Sequence, residues 1–169
     1  MANCAYCGTS ILFGGRRVGE SRYCNATCQQ RGALMTISQQ VPAPVIQQQV
    51  WNIHQGRCPR CGGTGPVDVH TSYRVFSMLI ITRWMNTPEV SCRKCGVKKQ
   101  VTSIGFSLLL GWWGIPWGLI MTPVQIARNI GAMSGGPDAT KPSERLERLV
   151  RVNIGAQAAR AAAAQSAKA

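Results

Sequence analysis

Residues 101–127 read VTSIGFSLLLGWWGIPWGLIMTPVQIA, and no charged residue occurs among them. An apolar run longer than about 18 residues is a candidate membrane span, because a helix needs roughly 20 residues to cross the hydrocarbon. Lys98 and Lys99 stand just before the run, and Arg128 closes it. The run is therefore either a membrane-directed α segment or the buried helical core of a soluble protein.

Small side chains recur through this run at intervals of three or four residues. They are Ser103, Ser107, Gly111, Gly114, Gly118 and Thr122. On a helix this spacing places all six on one face, where another backbone can approach closely. We predict that this face packs against a protein partner, while other faces contact membrane lipids.

The middle of the run contains residues that do not suit a simple span. Three tryptophans, at positions 112, 113 and 117, lie there, whereas membrane tryptophans favour the two water interfaces. Pro116 would also remove a helical hydrogen bond and kink a continuous helix. A single span and a re-entrant or shallow hairpin are both consistent with this composition.

Eight cysteines precede the run, in four pairs with the spacing of metal knuckles. Pairing by proximity predicts two sites of four thiolates. One site is Cys4, Cys7, Cys24 and Cys28, and the other is Cys58, Cys61, Cys92 and Cys95. Spacing alone does not distinguish zinc from iron, but the independent folding of such small modules favours two Zn²⁺ ions.

The amino-terminal residues carry neither the basic region nor the apolar core of a signal peptide. We therefore expect the cysteine modules to stay in the cytosol, where reducing conditions keep thiols available as ligands. Arg93, Lys94, Lys98 and Lys99 stand close before the run and Arg128 after it, so the positive-inside rule predicts the same orientation. The basic tail favours the inner leaflet too, which implies a re-entrant or shallow hairpin at the cytoplasmic membrane.

The chain is basic, with a formal net charge of +13. Two four-thiolate sites, each holding one Zn²⁺, lower that charge by four to about +9. Many of the basic residues are close to the knuckles: Arg16, Arg17, Arg22, Arg57, Arg60, Arg93, Lys94, Lys98 and Lys99. Anionic lipid head groups are favoured over nucleic-acid phosphates as their partner, because an apolar run lies beside them.

A knuckle, a hairpin and a helix are predicted within residues 3–40. The knuckle is CAYCG at 4–8, the hairpin ILFGGRRV at 11–18 turns at its glycine pair, and the helix contains QQRGALMTISQ at 29–39. This order is that of a treble clef.

Residues 4–30 resemble the TRASH and MYM-type zinc fingers. The resemblance is carried by CxxCG, by Tyr23 before the third cysteine, and by CxxxC. It implies a structural zinc with a role in protein interaction or metal handling.

A linker helix over residues 41–56 and a zinc ribbon over 57–100 follow. CPRCGGTG at 58–65 resembles one CxxCxGxG repeat of DnaJ-type co-chaperones, but a single copy implies a ribbon and no chaperone activity. Two strands are predicted between its knuckles. The uncharged segment 75–82 is too short to span and is predicted as a buried strand or one lying on the membrane.

Residues 56–130 resemble a group of uncharacterised bacterial proteins. The resemblance is carried by CPxCGGxGPVDVH, by CxxCGxKxQ, and by GWWGIPWG followed by TPVQIARN. These proteins join a zinc ribbon to such an apolar segment. The resemblance implies an architecture and no activity.

A carboxylate, an imidazole and a hydroxyl stand together at Asp68, His70 and Thr71. No second acid, nucleophile elbow or phosphate loop accompanies them, so we predict a hydrogen-bonding role and no enzyme activity. His54 precedes Cys58 by four residues, but both sites already have four sulfurs. We therefore expect it to be a surface or packing histidine.

The tail is predicted as a flexible link over residues 129–142 and a basic amphipathic helix from Ser143, with Glu–Arg pairs four residues apart. Beyond Ile154 the helix has nothing to bury, and we expect it to fray.

The predicted fold is thus a set of small α+β zinc modules, a treble clef plus a zinc ribbon, followed by an apolar α segment and a C-terminal helix. The predicted domains are residues 1–40, 41–56, 57–100, 101–127 and 128–169. The leading hypothesis is a zinc-binding, membrane-associated adaptor or assembly factor. The alternatives are a soluble nucleic-acid- or ribosome-associated zinc protein and a redox or metal-sensing switch.

Overall fold

The computed structural model describes residues 2–11, 14–79 and 81–166. The elements of this part are β1 (Ala2–Asn3), β2 (Ser10–Ile11), β3 (Arg16–Val18), β4 (Ser21–Tyr23), α1 (Ala26–Ser38), α2 (Ala43–His54), β5 (Val67–Met78), β6 (Ile81–Cys92), α3 (Arg93–Leu110), α4 (Trp117–Ser134) and α5 (Glu144–Ser166). The chain divides into two units. Unit 1 comprises Met1–Gln49 and Glu147–Ala169, and unit 2 comprises Val50–Leu146.

Unit 1 begins with two small antiparallel pairings, β1 with β2 and β3 with β4. The β3–β4 hairpin turns at Gly19, whose φ is +57°. The predicted hairpin at 11–18 was therefore wrong in position, because Val18 ends the first strand and the turn lies after it. Two residues of that segment, Leu12 and Phe13, lie outside the described residues.

Helices complete unit 1. Asn25 caps α1, its side chain accepting a hydrogen bond from the Cys28 N–H at 2.9 Å. The predicted fraying beyond Ile154 is wrong within the described residues, since α5 continues to Ser166. Gly155 lies so close to the backbone of Leu34 in α1 that no side chain would fit, so this part of α5 packs tightly in unit 1.

Unit 2 is built on one long antiparallel hairpin, with β5 and β6 paired from Val67–Cys92 to Met78–Ile81. Twelve residues per strand give a length of about 36 Å. Segment 75–82, predicted as one strand, is instead the end of this hairpin, where Leu79 has a φ of +51°.

The apolar run forms two helices in unit 2. Helix α3 ends at Leu110, residues 111–116 form a loop, and α4 begins at Trp117. The single continuous span that the length of the run allowed is not formed, since Pro116 and the glycines of the loop interrupt it. None of the helices in the described part of the chain has both the length and the apolar character that a membrane crossing requires.

The two helices run in opposite directions along β5. Contacts of α3 ascend the strand, from Gln100 at Thr71 to Ser107 at Val75. Helix α4 runs the other way and continues to Ser134, so the predicted flexible link begins six residues later than position 129.

Polar side chains of α3 and α4 satisfy the edge of β5 that faces away from β6. Asn129 accepts from the Tyr73 N–H at 3.0 Å and donates to its carbonyl at 2.6 Å. Ser107 accepts from the Val75 N–H at 3.2 Å, and Gln100 donates to the Thr71 carbonyl at 3.1 Å. The helical hairpin thus takes the place of a third strand, because unpaired backbone groups are costly to bury.

The small residues of the run lie inside unit 2. Ser103, Ser107 and Thr122 are fully buried, and Gly111 and Gly118 are also buried. A Cβ on Gly118 would come within 2.9 Å of the Ser77 hydroxyl. The protein that packs against this face is therefore the chain's own hairpin.

Candidate functional sites: two metal centres and an apolar pole

The first four-cysteine cluster lies in unit 1. The Sγ atoms of Cys4, Cys7, Cys24 and Cys28 all lie within 4.8 Å of one another. The knuckle at 4–8 supplies the first pair, and the chain entering α1 supplies the second. The Cys24 N–H donates to the Cys4 sulfur at 3.4 Å, which fixes the start of the helix against the knuckle.

The second cluster repeats this arrangement in unit 2. The Sγ atoms of Cys58, Cys61, Cys92 and Cys95 meet the same 4.8 Å limit, and the Cys92 N–H donates to the Cys58 sulfur at 3.2 Å. Cys92 ends β6, and Cys95 lies in the first turn of α3. The two strands predicted between these knuckles are β5 and β6, and the second pair of cysteines lies where β6 passes into α3.

Both clusters follow one plan of knuckle, hairpin and helix. The knuckle glycines Gly8 and Gly62 have φ values of +74° and +68°, and each donates its N–H to the carbonyl of the first cysteine. The helical Gly96 has a different role from these two. It lies against the ring of His70, where a Cβ would overlap the imidazole, so glycine lets α3 cross the hairpin closely.

The geometry of both clusters fits zinc. A tetrahedral site with Zn–S bonds of about 2.3 Å needs sulfurs roughly 3.8 Å apart. Cys7 and Cys24 sulfurs are 3.5 Å apart, and those of Cys61 and Cys92 are 3.8 Å apart. All eight cysteines are free of disulfides. The two clusters therefore fit two zinc ions.

The thiols differ in acidity because they share a small space. Burial opposes ionisation of Cys4 and Cys58, but backbone N–H groups outweigh it and lower the pKa of each to about 6. Burial and neighbouring sulfurs raise the pKa of Cys24 to about 12 and of Cys28 to about 11. Hydrogen bonds with Cys61 and Cys92 raise that of Cys95 to about 12. A divalent cation relieves this repulsion between thiolates.

Zinc affinity is therefore expected to fall steeply with acidity. At pH 7 the first cluster must release at least two protons, from Cys24 and Cys28, when it binds the ion, because both pKa values lie well above 7. Its apparent affinity should drop by about a hundredfold per pH unit below neutrality. Competition with a chromogenic chelator between about pH 6 and pH 8 measures this slope, and a dependence of tenfold or less per unit would contradict it.

The other residues considered from the sequence, His54, Asp68, His70 and Thr71, all lie in unit 2 and contact its other groups. Asp68 accepts from the Ser143 N–H at 2.9 Å, and His54 lies 3.7 Å from the same carboxylate and 2.9 Å from the Val67 carbonyl. His54 is buried, so it is a packing histidine and not a surface one. Burial lowers the pKa of His70. Thr71 receives the Gln100 contact described above.

Unit 2 carries an inverted distribution of polarity. Its helices bury Gln100, Ser103, Ser107, Thr122, Gln125 and Asn129. Large apolar side chains lie outside instead: Met78, Leu79, Ile81, Leu108, Leu109, Leu110, Trp112, Trp113, Ile115, Trp117, Leu119 and Ile120. We name this exposed set the apolar pole. Soluble proteins rarely expose a large contiguous apolar patch unless it binds something.

The apolar pole is one continuous end of unit 2. The Ile115 N–H donates to the Leu79 carbonyl at 3.2 Å, which joins the loop at 111–116 to the end of the strand hairpin. Leu79, Leu109 and Ile115 expose 77, 74 and 74 % of their surface. The metal cluster lies at the opposite end of the same hairpin, where β5 begins and β6 ends.

Three arginines stand between the two ends, and sequence reasoning assigned no role to Arg74 and Arg83. Arg74 stacks 5.6 Å from the Phe106 ring, and Arg128 stacks 5.8 Å from the Tyr73 ring. The sequence did contain a signal for these arginines. Arg74 and Arg83 flank the uncharged segment 75–82, and Arg128 directly follows the apolar run. We name these residues the arginine trio.

The basic residues beside the second cluster are partly paired. Glu89 forms ion pairs with Arg60 and Lys99, and the Lys99 hydrogen bond is the main reason that the pKa of Glu89 is lowered. The carboxylate of Glu89 therefore neutralises part of the positive charge near the metal site.

Comparison with known protein families, curated proteins and solved structures finds no match to this chain.

Proposed function

We propose that this protein is a non-enzymatic, zinc-stabilised adaptor or assembly factor attached to the cytoplasmic membrane. Unit 2 inserts its apolar pole into the bilayer, and the zinc modules face the cytosol. The observation that carries the proposal is the inverted polarity of α3 and α4 in unit 2, which bury polar side chains while the exposed end of the unit is apolar. Burial of the apolar pole in lipid removes its side chains from water, which is favourable in proportion to their area.

Charge placement supports a bilayer as the occupant of the pole. Segment 75–82 and the run at 101–127 contain no charged residue, so nothing charged enters the hydrocarbon with them. The arginine trio lies next along the chain, and the acidic Asp68 and Glu89 lie toward the metal end of the hairpin. A positive collar above an apolar end suits anionic head groups.

The distances along the elements also match shallow insertion. Arg83 pairs with Phe76, two positions from the end of the hairpin, which is about 7 Å. Arg74 is four positions away, about 13 Å, and Arg128 is eleven residues into α4, about 16 Å. Interfacial elements insert their apolar faces about 5–10 Å, and arginine side chains extend toward the phosphates.

The engagement of Asp68 favours a role without catalysis. Its carboxylate binds Ser143 and accepts the Val69 N–H at 2.6 Å, so it holds the start of α5 in unit 2. A general acid or base must instead reach a substrate proton. An adaptor needs only a stable shape and a place to attach.

Insertion is tested by replacing one exposed leucine of α3. Leu109→Asp should reduce binding to vesicles containing phosphatidylglycerol by tenfold or more, because a carboxylate in the bilayer costs up to about 2.5–3.5 kcal/mol. Val101→Asp is the matched control, since Val101 is also exposed on α3 but lies eight residues away from Leu109, toward the metal end. Vesicle flotation of the zinc-loaded chain measures both.

Equal binding of the two variants would contradict the proposal. Release of the native protein from membranes by high salt, followed by binding to RNA, would instead favour the nucleic-acid alternative. Failure to bind vesicles of any composition would leave a protein partner as the occupant of the pole.

A further inference from the structure

A cleft of about 490 Å³ lies in unit 2, on the side of β5 where α4 and the first turn of α5 meet it. Its polar lining includes His70, Gln100, Arg128, Glu144 and Arg145. Neither the metal sites nor the apolar pole uses this cleft. Its volume suits a small polar molecule or a single lipid head group.

Gln100 supplies a buried group that lacks a partner. Its side chain is 1 % exposed, and its amide nitrogen, Nε2, donates to the Thr71 carbonyl at 3.1 Å. That hydrogen bond sets the orientation of the amide. Its Oε1 has no hydrogen-bond partner among the described residues. A buried acceptor without a donor is costly, so a ligand that brings an N–H or O–H to the cleft would satisfy it.

The charged groups of the cleft favour an anion. Arg128 and Arg145 are exposed at its lining, and Glu144 is the acidic residue among the lining side chains. Burial lowers the pKa of His70, so its imidazole is neutral at pH 7. Arginine binds carboxylate and phosphate oxygens through two parallel N–H groups, and a phosphate, which carries more negative charge, gains more from two guanidinium groups than a carboxylate does.

We infer that the cleft binds a phosphate ester that also carries a hydroxyl group. The phosphate contacts Arg128 and Arg145, and the hydroxyl donates to Gln100 Oε1. Such chemistry is found in a phosphoglycerol lipid head group and in a free glycerol phosphate. The lipid form rests on the proposed membrane attachment, because Arg128 also belongs to the arginine trio, whereas the soluble form does not.

Titration calorimetry of the zinc-loaded chain with glycerol 3-phosphate tests this site directly. We expect saturable binding that Arg145→Gln weakens by about tenfold, the usual effect of losing one charge-assisted contact. Arg83→Gln is the matched control, because Arg83 belongs to the arginine trio but does not line the cleft. Arg83→Gln should leave this binding unchanged and weaken vesicle binding instead.

A second arm identifies the source of the ligand. If protein bound to phosphatidylglycerol vesicles no longer binds glycerol 3-phosphate, the lipid head group occupies the cleft. If it still binds, a soluble ester is the ligand.

The inference is overturned if glycerol 3-phosphate does not bind at millimolar concentration, or if Arg83→Gln weakens that binding as much as Arg145→Gln. Loss of vesicle binding in Leu109→Asp with intact glycerol 3-phosphate binding separates the membrane proposal from this one.

Discussion

A Cys58→Ser protein is expected to carry one zinc per chain and to lose the folded structure of unit 2. Cys58 is 1 % exposed, and its sulfur accepts the Cys92 N–H at the junction of β6 and α3. A structural zinc site contributes on the order of 10 kcal/mol or more, which is comparable with the whole stability of a small domain. The polar side chains that α3 and α4 bury against β5 contribute little apolar burial to compensate.

Native mass spectrometry and circular dichroism measure these two effects together. Cys4→Ser provides the matched control, because Cys4 holds the same position in the first cluster. It should also leave one zinc per chain, but unit 2 should keep its fold and its vesicle binding. A Cys58→Ser chain that keeps two zinc ions, or its full helical signal, would refute the expectation.

Gly118→Leu is expected to destabilise unit 2 by about 3 kcal/mol or more, since overpacking in a tight interior is costly. A Cβ at this position would overlap the Gly111 carbonyl and lie 2.9 Å from Ser77 Oγ. Backbone atoms cannot move aside as a flexible side chain can. The helical hairpin would have to separate from β5 and expose the strand edge that it covers.

Gly105→Leu is the matched control, because a Cβ at Gly105 meets nothing within 4 Å. That substitution should be neutral or slightly stabilising, since leucine favours a helix by up to about 1 kcal/mol over glycine. Urea unfolding of the zinc-loaded proteins, followed by tryptophan fluorescence, compares them. Similar midpoints for Gly118→Leu and Gly105→Leu would mean that the close packing has no energetic weight.

The metal centres were predictable because their cysteine ligands occur in pairs separated by only two or three residues. Four cysteine pairs within one chain leave few ways to form four-sulfur sites, and proximity selects the two clusters that form. The burial of the small residues at 103–122 was predictable for a similar reason, since close approach needs small side chains. The prediction that all six share one helical face was wrong, because they are divided between α3, the loop at 111–116 and α4. The element that these small residues pack against could not be predicted, because it depends on the position of β5.

The errors arose where the usual local signals are missing or misleading. The hairpin of unit 2 turns at Leu79, without the glycine, proline or asparagine that usually mark a turn. The change from charged to uncharged residues near position 100 likewise suggested a boundary, yet α3 continues through it from Arg93 to Leu110.

The order of the chain has a consequence for biosynthesis. Both hairpins and all eight cysteine ligands are synthesised before residue 101, whereas most of the apolar pole is synthesised after it. Because chains fold from the amino terminus as they emerge, the zinc-bound hairpin of unit 2 can form first. We expect nascent chains to acquire their metal while the apolar segments of α3 and α4 are still within the ribosome. Zinc starvation would then leave the emerging helices without a template and expose them to aggregation.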